Sequence, residues 1–77
     1  MTKQLKKNID AEKYYKMAVE IRPNEVVSYS NLGAIYHLNG KYLLAMQSYQ
    51  QALKLKPDDP ITLTNLAKLK QVMGDGH

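Results

Sequence analysis

Two carboxamides stand 34 residues apart in this chain, Asn31 and Asn65. Each presents a hydrogen-bond donor and an acceptor on one flat group. A peptide backbone offers the same pair of groups, so asparagines held on successive elements are suited to gripping an extended chain. Residues for covalent or proton-transfer chemistry are sparse. The histidines are His37 and His77, cysteine is absent, no serine has a partnered base, and no carboxylate pair falls inside an apolar segment. Neither a nucleophile nor an acid–base pair is assembled by such a pattern. Asp58-Asp59 runs into Pro60 and reads as a helix cap with a first-turn proline rather than as a metal or acid–base site. Gly33 and Gly40 belong to no glycine-rich phosphate loop. The chemistry left is recognition, with no catalytic residue, metal or cofactor expected.

Composition narrows what is recognised. The chain has 77 residues and a formal charge of +4, and that charge invites a nucleic-acid reading. Lys3, Lys6 and Lys7 cluster, but the other cations are spread along the chain, and Arg22, Lys54 and Lys56 fall near expected helix ends, where they offset the helix dipole. A solvated surface accounts for them, and nucleic acid is not an expected partner. Tyrosine carries all the aromatic bulk, with six residues and no tryptophan or phenylalanine. Tyr15, Tyr29, Tyr36 and Tyr49 are expected in the core rather than as base-stacking platforms, with Tyr14 and Tyr42 partly exposed. No apolar run approaches the roughly 20 residues of a membrane span, the opening MTKQLKKNID lacks the apolar stretch of a signal peptide, and direct membrane contact is not expected.

Recognition groups need elements that hold them in register. Ala11, Tyr15, Ala18 and Pro23 recur as Ala45, Tyr49, Ala52 and Pro57, and Asn31-Leu32 recurs as Asn65-Leu66, always 34 residues on. Ile21 and Leu55, Val27 and Ile61, and Ile35 and Leu69 are similar pairs at the same offset. Val26, Tyr29, Leu32, Gly33 and Tyr36 form an apolar stripe at helical spacing. Asn39-Gly40 ends that helix, with Gly40 free to turn left-handed. A second stripe follows through Leu44, Ala45, Ser48, Tyr49 and Ala52, and Pro57 stops it. Asp58-Asp59-Pro60 opens the next helix, and Pro23-Asn24-Glu25 is the same punctuation upstream, with Asn24 the expected cap. Leu32, Gly33, Tyr36, Ala45, Tyr49 and Ala52 are the expected core, small wherever two antiparallel helices must approach.

The segment VVSYSNLGAIYHLNGKYLLAMQSYQQALKLKPDD, residues 26–59, resembles the tetratricopeptide repeat along its whole length. Tyr29 stands at the first aromatic of the pattern, Leu32-Gly33 at its Leu-Gly pair and Tyr36 at its next aromatic. Ala45, Tyr49 and Ala52 match the second helix and Pro57 the closing proline. The resemblance reaches from Asn8 to Met73 and implies an all-α, antiparallel helix–turn–helix solenoid fragment of four helices in a single domain. Residues 8–22 would be the second helix of a partial repeat, 26–59 a complete repeat and 59–73 the first helix of a partial or capping repeat, with 1–7 and 74–77 as flexible ends. Ala67 replaces the expected glycine and Lys70 an expected buried aromatic, which suits an array's last helix.

The function the resemblance implies is a protein-interaction module, or scaffold, whose first helices line a concave peptide-binding groove. Asn31 and Asn65 then lie in that groove and resemble the peptide-holding asparagine ladder of the O-GlcNAc transferase repeat array. Val27, Ser30, Ala34, His37 and Leu38 would line it beside Asn31, and Ile61, Thr64, Lys68, Gln71 and Val72 beside Asn65. The runs NLGAIYHLNGKY and LKLKPDDPITLTNLAKL resemble the C-terminal repeats of transmembrane O-mannosyltransferases. That implies a parent enzyme whose active site lies outside this segment, and a place for the segment in the lumen of the endoplasmic reticulum; without it the cytoplasm is the default expectation. The alternative is a structural, self-assembling or capping segment with no ligand of its own. Ile9, Tyr14, Met17 and Val19 on the first helix, and Leu63, Leu66, Leu69 and Met73 on the last, are expected to be uncovered, and oligomerisation through these open repeat ends follows.

Overall fold

The computed structural model describes residues 2–74, with side chains described from Lys6 onward. Four helices follow one another, α1 (Thr2–Ile21), α2 (Val26–Leu38), α3 (Tyr42–Leu55) and α4 (Pro60–Gly74). Each packs on the next, and α2 also touches α4. This nearest-neighbour arrangement is that of a solenoid. The all-α reading of four helices stands.

The helix boundaries have local causes. Asn39 and Gly40 end α2 with a left-handed glycine, φ +77°. The Gly40 amide donates to the His37 carbonyl at 3.0 Å and the Lys41 amide to that of Tyr36 at 2.9 Å. These two bonds satisfy carbonyls that the helix end would otherwise strand. At α4, the Asp59 carboxylate accepts from the Thr62 amide at 2.9 Å and from the Thr62 hydroxyl at 2.6 Å, with Pro60 in the first turn, as expected. Upstream the expectation fails by one position. Glu25, not Asn24, is the N-cap of α2, extended and without a side-chain cap bond to the backbone. Its carboxylate is engaged by Arg22 and Ser28, each at 3.2 Å, and Asn24 lies in the turn. The first helix begins at Thr2 rather than Asn8, because Lys, Gln and Leu are good helix formers and nothing in that run breaks a helix. Gly74 still belongs to α4, and the rest of the expected tail, 75–77, lies outside the described residues.

The core gathers Leu32, Ile35, Tyr36, Ala45, Tyr49, Leu66 and Leu69. Leu32, Gly33, Tyr36, Ala45, Tyr49 and Ala52 are buried as expected, and Ile35 joins them, whereas Tyr15 and Tyr29, also expected in the core, are half-buried. Leu66 and Leu69, expected to be uncovered, are buried in this core because α3 packs over α4. Val19 and Met73, expected on the open ends, instead pack half-buried against this core. Gly33 shows why small residues recur. A Cβ built there would sit 2.5 Å from Cε1 and 2.6 Å from Cδ1 of Tyr49, so the ring lies directly on the glycine.

Candidate interaction groove

The second helix presents its residues to three neighbours, α1, α3 and α4, which leaves a narrow stripe open. Ala34, His37 and Leu38 on that stripe face Asn65 and Lys68 of α4 across a cavity of about 220 Å³, with Tyr49 of α3 in its wall. Tyr49 is 1% exposed and forms the floor, and burial pushes its phenol above its ordinary pKa. His37 is fixed by an edge-on contact with Tyr42, ring centroids 5.6 Å apart. Apolar Leu38 and Val72 are exposed on the same two helices. The cavity is thus a shallow apolar trough with an amide and a lysine on one wall and a histidine on the other.

Five of the expected groove residues, Ala34, His37, Leu38, Asn65 and Lys68, are brought together, while Gln71 and Val72 are exposed outside the cavity walls. Val27, Asn31, Ile61 and Thr64 are exposed on the same helices but lie outside the cavity walls. Ser30 does not line the groove. It is 5% exposed, because the three helices packed around α2 cover its side. The two asparagines differ: Asn65 is half-buried in the cavity wall, whereas Asn31 is on open surface. Among the described residues neither carboxamide has a side-chain hydrogen bond, so both keep their donor and acceptor for a ligand.

A part-buried polar cluster around Glu12 escaped the reading of the sequence. Glu12 of α1 accepts from Lys41 Nζ at 2.8 Å and from Asn39 Nδ2 at 2.9 Å, and Asn39 Nδ2 also reaches the Asn8 carbonyl at 3.2 Å. Burial pushes the Glu12 carboxyl up, but hydrogen bonds from Lys41 and Asn39 and the charges of Lys41 and Lys16 outweigh it and hold it below its ordinary value. The available signal was position. Asn8, Glu12, Tyr15 and Val19 follow helical spacing on the packed face of α1, where a carboxylate needs partners. The partners lie 27 and 29 residues away, beyond local pattern. A larger notch of about 460 Å³ also opens between α1 and the start of α2, with Tyr14, Met17, Ala18 and Ile21 on its α1 side.

The spacing of Tyr29, Leu32, Gly33, Tyr36, Ala45, Tyr49, Ala52 and Pro57 acquires its meaning from this packing, and residues 26–59 match the family model for the tetratricopeptide repeat. The central hairpin is a tetratricopeptide repeat. Over 49 residues the chain is also 51% identical to protein O-mannosyl-transferase TMTC2 of Homo sapiens. That stretch is 64% of this chain and 6% of the relative, so the chain spans a small fraction of that protein's length. The match agrees with the resemblance to O-mannosyltransferase repeats. Tetratricopeptide repeats serve in general as protein-interaction modules.

Proposed function

We propose that the chain is a binding module, without catalytic activity of its own, that holds an extended segment of a partner protein across α2 and α4. The observation that carries this reading is the trough in which Asn65, free of internal hydrogen bonds and half-buried, stands over Tyr49 opposite His37. A strand laid there would place backbone amides against the Asn65 carboxamide and side chains against Leu38 and Val72. Asn31 would extend the same grip one repeat earlier.

Peptides selected on the immobilised chain from a random display library, then titrated by calorimetry, test it. Asn65→Ala is expected to weaken binding by about 1–3 kcal/mol, because a backbone group of the peptide is left without its partner. Asn31→Ala should cost less, since its side chain lies outside the cavity. Affinity unchanged in the double variant, with the helical circular dichroism intact, would retire the groove.

A second reading is favoured by the exposed apolar face of α1. On it the chain is a structural or capping segment that self-associates through its open repeat ends, and the kinship with a much longer transferase fits a segment that serves a larger protein. Failure to select any peptide, together with concentration-dependent mass, would favour this second reading.

A further inference from the structure

The internal repeat tells what belongs on the open face of α1. Shifting by 34 residues carries α1 onto α3, and on α3 the corresponding face is covered. Ser48 is 6% and Ala52 0% exposed, beneath α2, whereas Tyr14, in the place of Ser48, is 70% exposed. The helix that covers α3 is α2, and the element of this chain equivalent to α2 is α4. Resting on the self-association reading, we infer that α4 of one copy docks on α1 of the next and rebuilds the α2·α3 pair between molecules.

The residues at the two faces support that register. Within the molecule Tyr29 and Tyr36 border a cleft against Leu44, Gln47, Ser48 and Gln51. The turn at Asn39–Lys41 makes the two helices antiparallel, so Tyr36 lies toward Leu44 and Tyr29 toward Gln51. One period on, α4 carries Leu63 and Lys70 in the tyrosine places. One period back, α1 carries Asp10, Lys13, Tyr14 and Met17 in the places of Leu44, Gln47, Ser48 and Gln51. Leu63, exposed on α4, therefore meets exposed Tyr14 and Met17. Lys70 meets Asp10, so the one contact that has lost its apolar pair has gained opposite charges. Lys13 falls between these contacts and is exposed, free to turn to solvent. The fit is looser than in the α2·α3 pair, because Ala67 replaces Gly33 and its methyl would press on Tyr15, the counterpart of Tyr49. Such a contact is head-to-tail, so it grows into open chains or closes as a ring rather than stopping at a symmetric dimer.

Sedimentation equilibrium of the full chain over a hundredfold concentration range tests the inference. The mass is expected to rise past that of a dimer. Lys70→Glu should weaken association by about three- to tenfold, the size of an exposed ion pair turned repulsive, and adding Asp10→Lys should restore it. Ala67→Gly should tighten it by relieving Tyr15. Constant monomer mass overturns both the inference and self-association. Association that ignores the Lys70 and Asp10 reversals, yet is lost in Tyr14→Lys, overturns the α4-to-α1 docking and leaves an α1-to-α1 dimer in its place.

Discussion

Gly33 and Tyr49 show how much one contact decides. The ring of Tyr49 lies against the Gly33 backbone where any Cβ would intrude, and at 1% exposure the ring has nowhere to go. Gly33→Leu is expected to destabilise the fold. Overpacking costs about 1–3 kcal/mol, while the better helix propensity of leucine returns at most about 1 kcal/mol. The urea midpoint should fall; an unchanged midpoint would mean that α2 and α3 do not pair through this contact. The glycine was legible in the sequence, because the repeat pattern calls for a small residue there. That its partner is Tyr49 was not, because the two are 16 positions apart and only the hairpin brings them together.

Among the elements, α1 depends on a tie that no local pattern shows. Glu12 clasps Asn39 and Lys41 of the α2–α3 turn, so the first helix is held by charge and hydrogen bonds as well as by apolar contact. The carboxyls of Glu12 and Asp59 are both held below their ordinary values. In Glu12 burial opposes the shift and the bonds and charges of its partners overcome it; in Asp59 the side-chain and backbone hydrogen bonds of Thr62 cause it. A folded-state pKa below the unfolded one contributes stability above the unfolded value, about 4 for a carboxyl, and that contribution is lost as the pH falls through the lower folded value. The melting temperature should therefore drop between neutral and strongly acidic solution. Glu12→Gln, which has no proton to take up, should show a shallower drop when followed by circular dichroism. Identical pH profiles for the two proteins would exclude Glu12 as a contributor. The cap at Asp59 was foreseen because cap and helix are adjacent in sequence. The Glu12 cluster was not, because its members meet only after α1 has docked.

The whole molecule is a thin slab, 37 × 35 × 17 Å, little more than one helix diameter and a half through. A body this thin leaves apolar side chains on several surfaces, among them Tyr14 and Met17 on α1, Leu43 on α3 and Ile61 on α4, and apolar patches of this kind are what interaction surfaces use. Its cations are dispersed, with Lys68 the one in the wall of the trough. Peptide binding should accordingly respond weakly to salt. A module making six to ten phosphate contacts would lose about a thousandfold or more in affinity between 50 and 200 mM salt; here the affinity of a selected peptide should change little over that range. A steep loss would point to a charged ligand and to nucleic acid as the partner to examine.

The sequence by itself determined the helices, their order and the repeat, because periodic apolar stripes, a left-handed glycine turn and proline stops act over a few residues and need no distant partner. It also determined most of the core of the full repeat, missing Ile35 and overrating Tyr29, since a 34-residue period with matching small and aromatic residues constrains the pairing of neighbouring helices. Tertiary structure alone decided which of the expected groove residues share one cavity. It buried Ser30, left Asn31 on open surface and gathered Ala34, His37, Leu38, Asn65 and Lys68, because those outcomes depend on how far α1, α3 and α4 wrap around α2. It likewise drew Val19, Leu66, Leu69 and Met73 onto the core and left Tyr14 and Met17 uncovered, since burial in a solenoid depends on which neighbouring helix covers each face.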